Sequence, residues 1–387
     1  MSFQSNPVYI ISVLLALVVF SEWLARRKFF SRLGSSLIII LASAILANCN
    51  LIPSSGNPPS LYFRIFEYAA PIGIFLLLLD VKLKDLRLAG LPMLIMFGIG
   101  SAATVAGTLV GYYLFSPQAH HVENAFAVAG MYTGTYTGGS ANLNAVAIQY
   151  GMNTNGTQFA AINAVDNIVG TSWIMVSLFL PTLLQRMIPR RRKIPPQLAN
   201  LSDEELREAI SFGKEDISIT SAAALLALGF GTLYFSNLLS SYVPAIPSIL
   251  TLTTIAILLA QVPLVQKLKG GRVMGFFLIL VFLAVVGAFC DLGALAANGD
   301  LAVTLLLWVI VLILIHGLLI FGIGAALRQD WDIIAVASNA NVGGTATAAV
   351  CAASIGRKDL QLPGLLVASV GNAVGTYLGV LVAEFLK

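Results

Sequence analysis

Apolar stretches of about 18 to 25 residues recur along the whole chain, separated by short polar or basic loops. They lie near residues 7–24, 35–52, 61–80, 91–115, 157–185, 218–238, 244–265, 272–296, 301–326 and 362–386. Each is long enough to cross a bilayer core as a helix, so the pattern predicts ten crossings. Between the fourth and fifth runs, and again between the ninth and tenth, the pattern turns polar and glycine-rich. Gly138-Gly139-Ser140-Ala141 precedes Asn167-Ile168-Val169-Gly170-Thr171, and Gly343-Gly344-Thr345-Ala346 precedes Asn372-Ala373-Val374-Gly375-Thr376. The two copies are 205 positions apart, and in each the Asn follows the first Gly by 29 positions. The chain therefore reads as a duplication.

The arms around each Gly-Gly, 124–137 with 141–151 and 329–342 with 346–356, are too short to span at about 1.5 Å per residue. Each element is either one broken crossing helix or a re-entrant hairpin. Basic residues choose between them, because cytoplasmic loops carry the excess of Lys and Arg. With the N-terminus outside, Arg26, Arg27, Lys28 and Arg32 are cytoplasmic, as are Lys82, Lys84 and Arg87. Only a hairpin at 124–151 then keeps Arg186, Arg190, Arg191, Arg192 and Lys193 inside. Lys267, Lys269 and Arg272, and then Arg328, Arg357 and Lys358, follow the same rule in the second half. The expected fold is an all-α polytopic membrane protein made of two inverted repeats, each with five transmembrane helices and one re-entrant hairpin. The first repeat covers 1–185 with its hairpin at 124–151, and the second covers 217–387 with its hairpin at 329–356. A cytoplasmic linker, 186–216, joins them and holds a Ser202/Glu205 capping box.

Composition agrees: 58% of residues are hydrophobic, 10% are charged and mean hydropathy is +0.87, which excludes a soluble domain. The net charge of +4 is spread over loops, so it reports topology and implies no nucleic-acid partner. The expected partners are membrane lipid and a small-molecule substrate. Cys49, Cys290 and Cys351 lack metal or redox spacing and read as small hydrophobes. No basic segment precedes the first apolar run, so it reads as an uncleaved anchor.

Irregular backbone at membrane depth survives only inside protein or beside a wet cavity, which makes the two Gly-Gly tips candidate cavity walls. The expected substrate-binding residues are Thr137, Gly138, Gly139, Ser140, Asn142, Asn341, Gly343, Gly344, Thr345 and Asn372. Asn163, Asp166, Asn167 and Gly170 share one helix face, matched by Ala368, Gly371, Asn372 and Gly375. The match breaks at Asp166 against Gly371. An ionisable residue inside a membrane segment is costly and marks function by default. Asp166, Asn167, Thr171, Asn339 and Thr376 are the expected coupling-ion residues. For Asp166 itself, sodium, a proton, a substrate ammonium and a plain structural hydrogen bond all remain open. Na+ is the only bound ion this reading calls for, with no other metal or cofactor. Glu67 is expected to pair locally with Arg64, His316 to be a satisfied buried imidazole, and Asp80 and Asp291 to be solvated.

At the two Gly-Gly elements and at Pro71 to Asp85 (PIGIFLLLLDVKLKD), the chain resembles the YjcL-like family of uncharacterised bacterial membrane proteins. That family is similar to the cation/proton antiporter and anion transporter superfamily, with its sodium/glutamate and 2-hydroxycarboxylate symporters. The hydroxycarboxylate group marks its tips with Gly-Gly-x-Gly; here Ala141 and Ala346 take the last place, and the final helix carries no Arg. The resemblance implies an elevator-type core and scaffold, a homodimer and a bacterial inner-membrane location. The expected function is a sodium- or proton-coupled symporter for a small polar organic solute such as an amino acid, organic anion or small peptide. A sodium/proton exchanger is the alternative, ahead of a passive channel. An enzyme is not expected, because no nucleophile and base stand at catalytic spacing.

Overall fold

The computed structural model describes residues 6–27, 30, 34–54, 58–81, 83, 86–190, 217–243, 246–290 and 299–387. Most of the expected linker, its capping box, Lys28, Arg32, Lys82, Lys84 and Asp291 lie outside the described residues. Within them every regular element is a helix: α1 (Pro7–Ala25), α2 (Gly34–Asn48), α3 (Ser60–Leu78), α4 (Leu91–Phe115), α5 (Ala125–Gly138), α6 (Ser140–Gln149), α7 (Gly156–Met187), α8 (Ile219–Tyr242), α9 (Ser248–Leu259), α10 (Gly271–Ala288), α11 (Gly299–Ala326), α12 (Trp331–Ser354) and α13 (Gln361–Leu386).

Eight of these helices are long and apolar enough to cross a membrane: α1, α3, α4, α7, α8, α10, α11 and α13. The other two expected crossings, α2 and α9, are apolar but shorter than the sequence pattern predicts, with 15 and 12 residues. Local chemistry stops them. Asn48 donates back to the Ala44 carbonyl and across to the Cys290 carbonyl, and Asn50 turns the chain at φ +56°. Pro247 caps α9, and Gln261 beyond its other end ties to the Ile257 and Val81 carbonyls. Cys49 falls in the turn after α2 and is exposed, whereas Cys290 and Cys351 are buried as expected. In α3 the stretch Ile65–Ala69 widens into π-helical geometry just before Pro71, whose missing N–H and ring disturb the ladder one turn upstream. Arg64 and Glu67 pair locally at 2.9 Å, as expected.

The helices sort into two sets by their packing. In one, α10 lies against α1, α2 and α3, and α8 and α9 pack on α3 and on each other. The other contains α4, α5, α6, α7, α11, α12 and α13, with α4 against α11, α5 against α13, and α12 against α13, α7 and α4. Between the sets, α7 meets α2 and α10, while α9 meets α6 and α13.

Small residues set the closest approaches, as membrane helix packing requires. Gly130, Gly134 and Gly138 of α5 face Gly379, Gly375 and Gly371 of α13 in antiparallel order. A Cβ built on Gly130 would lie 2.6 Å from the Gly379 carbonyl oxygen, and one on Gly375 would lie 2.9 Å from that of Gly134.

Candidate functional site

Both Gly-Gly elements reverse the chain. A straight helix from Asp330 to Arg357 would separate them by about 40 Å, yet Arg357 donates to Asp330 at 2.8 Å. Halfway up the same element, Asn339 reaches the Cys351 sulfur at 3.2 Å. In the first element, a Cβ on Gly130 would stand 3.1 Å from the Val146 side chain. Its ends meet where Glu123 and Gln158 exchange two amide hydrogen bonds, at 3.0 and 2.8 Å. The turns fall on Gly139 (φ +100°) and Gly344 (φ +75°), conformations that L side chains rarely adopt.

An ion cluster clasps the second hairpin at its base. The Arg357 guanidinium, almost wholly buried, donates to Asp330, Asp332 and Asp359 at 2.8, 3.0 and 2.7 Å. Burial works against its charge, but the hydrogen bonds it donates to Asp359 and Asp330 outweigh that cost and hold the guanidinium above the ordinary arginine value. Arg357 is thus a neutralised structural cation rather than the free cytoplasmic charge that its sequence position suggests. Close by, Arg190 donates to the Gly324, Ala325 and Gln329 carbonyls at the end of α11 and stacks 3.9 Å from the centre of the Trp331 ring.

The two tips meet. A Cβ on Gly139 would lie 3.7 Å from the Gly344 Cα. Beside this junction is a cavity of about 280 Å³. The tips contribute Gly139, Ser140, Val342 and Gly343, and their arms add Thr135 and Thr347. The α7 face contributes Asn163, Asp166, Asn167, Gly170, Thr171 and Ile174, and α2 of the other helix set contributes Ser36. Among the described residues, Asp166 is the one ionisable group in this lining. Thr135 donates to its two carboxylate oxygens, each at 3.4 Å, and the Tyr136 hydroxyl donates to its backbone carbonyl.

Of the residues expected at the site, Gly139, Ser140, Gly343, Asp166, Asn167 and Thr171 line this cavity. The others sit in the surrounding packing. Asn142 donates to the Gly371 carbonyl and accepts from Thr376, so both side chains are spent joining α6 to α13. Asn341 donates to the Phe97 carbonyl and to Ser101 on α4, and Asn339 donates to Ser177 on α7. Thr345 accepts from Arg272 at 3.4 Å, and Gly344 abuts Gly138. Thr137 and Gly138 press against Gly371, with the backbone of Asn372 beside them. This explains the break in the internal match at Asp166. A Cβ on Gly371 would lie 2.5 Å from the Thr137 carbonyl oxygen, so α13 has no room for a side chain where α7 turns a carboxylate toward open space.

Asn163 and Gly170, which share the Asp166 face, line the cavity without having been expected in the site, and so do Thr135, Thr347 and Ser36. Ser36 is an ordinary residue at the start of an apolar helix, and only tertiary packing brings it to the tips. His316 is buried and satisfied, as expected. Since the Gly100 carbonyl can only accept, Nδ1 carries the proton and donates to it at 3.1 Å. Nε2 then accepts from Ser338 at 2.9 Å, while Ser338 accepts from Trp173 of α7 at 2.9 Å.

The model of the family described as "Protein of unknown function (DUF819)" matches residues 9–387. An "Uncharacterized membrane protein YjcL" from Bacillus subtilis (strain 168) is 25% identical over 377 residues, covering 94% of this chain and 92% of the relative. This multi-helical membrane protein, with its paired glycine hairpins and their shared polar cavity, belongs to the DUF819 family.

Proposed function

We propose that the chain is a secondary active transporter, a sodium- or proton-coupled symporter for a small polar organic solute. One observation carries this reading: a polar cavity with a single carboxylate lies at the junction of two hairpin tips, and both helix sets contribute to its wall. Such a cavity inside an apolar protein has little structural use, since each buried polar group costs free energy unless it is paired. Its volume of about 280 Å³ is at the low end for small-molecule sites and suits an amino acid or small organic acid better than a peptide.

Two contacts between the sets support elevator movement. Ser36 lies in the first turn of α2 and Arg272 in the first turn of α10, and both side chains reach the tip region from the first set. Asn48 joins the far end of α2 to Cys290 at the far end of α10, so the two helices start at the same end of the protein. The tips are therefore level with that end. Arg26 and Arg27 precede α2, and Lys267 and Lys269 precede α10, which supports reading that end as cytoplasmic and the N-terminus as outside. We read this as an inward-facing arrangement. The set of α4–α7 and α11–α13 would be the moving core, and the rest a scaffold paired as a homodimer in the bacterial inner membrane.

In this scheme Asp166 serves the coupling ion, assisted by Asn167 and Thr171. Ser140 opens α6, so its N–H and the positive end of that helix suit a solute carboxylate. His316 is occupied on both ring nitrogens, which argues against an intramembrane enzyme. A sodium/proton exchanger is the second reading, in which Asp166 would carry the exchanged ions without a second acid among the described lining residues. Uptake of candidate solutes into proteoliposomes under imposed sodium or proton gradients separates the two. A symporter accumulates a solute, whereas an exchanger moves only the ions.

A further inference from the structure

The α7 face turns oxygens toward the cavity. Asn163 donates its Nδ2 to the Phe159 carbonyl at 3.0 Å, and Asn167 donates its Nδ2 to the Asn163 carbonyl at 2.8 Å. A backbone carbonyl accepts only from the NH2 side, so these two bonds settle how each amide is oriented. Each side chain ties an N–H to its own helix and leaves Oδ1 as an acceptor for the cavity it lines. Asn163 is 97% buried, so the orientation is not a choice made by solvent. Asp166 stands between them, one turn from Asn163 and adjacent to Asn167, and its carboxylate can only accept while ionised. Among the described residues, the same cavity wall bears no Lys, Arg or His.

We infer that Asn163, Asp166 and Asn167 form a binding site for a monovalent cation, in which two amide oxygens flank one carboxylate. This inference rests on the transporter reading and specifies the site on which its coupling acts. Hard cations take oxygen ligands, and a single carboxylate neutralises a single positive charge. A divalent ion would leave an uncompensated charge in a poorly solvated site, and an anion would meet the like charge of Asp166. The cation is either a bare Na+ or the ammonium group of a solute, because both take the same oxygen ligands. Asn163 thereby gains a role as ligand that neither its family match nor its sequence position assigns.

Thermal unfolding of the purified full-length protein tests the site in choline chloride, sodium chloride and potassium chloride at equal ionic strength. Glycine, methylammonium and succinate are then added as probes. A rise in Tm with sodium alone identifies the bare ion. A rise with methylammonium or glycine in choline buffer identifies the ammonium. In either case Asp166→Asn and Asn163→Leu should raise the half-saturating cation concentration by about tenfold or more, equivalent to about 1.4 kcal/mol. Asn167→Asp, which keeps the oxygens and adds charge, should lower it. Absence of any cation effect on wild type, or stabilisation by succinate alone, overturns the site without recourse to a variant. Solute accumulation in proteoliposomes without a cation effect would sink this inference and leave the transporter intact. A cation effect without accumulation of any solute would do the reverse.

Discussion

Gly138 at the first hairpin tip and Gly371 on α13 touch backbone to backbone, and neither has room for a Cβ. The pair at the matching sequence positions is Gly343 and Asp166, and these two line an open cavity. One sequence pattern thus yields a sealed contact on one side and a polar site on the other. Gly371→Ala should destabilise the protein by about 1 to 3 kcal/mol through overpacking. Gly170→Ala, with open space around it, should fold normally and alter only ligand affinity. Paired thermal unfolding and ligand titration of the two variants check this contrast.

The clasp at the base of the second hairpin gives a second expectation. Removing the Arg357 charge strands three carboxylates, two of them buried. Arg357→Gln should cost about 3 to 5 kcal/mol, the range for breaking a buried ion pair. Asp359→Asn should cost much less, since Asp359 is partly exposed and Asp330 and Asp332 remain. Equal losses in chemical unfolding would show that the cluster is not organised around Arg357.

Ser338 links Trp173 of α7 to His316 of α11. Ser338→Ala leaves the Trp173 N–H and His316 Nε2 without partners in a buried place, at about 1 to 3 kcal/mol for each stranded group. Ser338→Thr retains the hydroxyl and should recover most of that loss, apart from the strain of the added methyl. Near-ultraviolet circular dichroism of Trp173 together with Tm would report both effects. A Ser338→Ala protein as stable as wild type would refute the link.

Much of this architecture was legible before any coordinates. Of the ten crossings that apolar run length predicted, eight are helices long and apolar enough to span, and paired glycines marked the reversals because a turn at φ +100° or +75° needs them. The i, i+3, i+4 and i+7 spacing of Asn163, Asp166, Asn167 and Gly170 placed one wall of the cavity. Other features depend on partners distant in sequence. Ser36 joins the site only through the docking of α2 on α7. Asn142, Asn341 and Asn339 share the polar character of ligand residues, yet they bind neighbouring helices, a difference that residue type alone does not carry. Arg357 was readable in principle. A hairpin over 329–356 brings residues 330 and 332 to residues 357 and 359, so three acids and a base had to meet at its foot.

The inward-facing assignment predicts which side of the membrane reaches the cavity. Ser36→Cys and Ser140→Cys, made in a chain lacking the exposed Cys49, should react with a membrane-impermeant thiol reagent from the cytoplasmic face. Saturating ligand should slow the reaction. Labelling of both positions only from the outer face would reverse the assigned direction.

Gradient-driven uptake tests the central claim most directly. Proteoliposomes containing the wild-type protein should concentrate a small polar solute above its external level when a sodium or proton gradient is imposed. The same vesicles with Asp166→Asn should lose the gradient dependence while the protein stays folded. Solute that only equilibrates, or accumulation undiminished by Asp166→Asn, would contradict a coupled transporter built around this cavity.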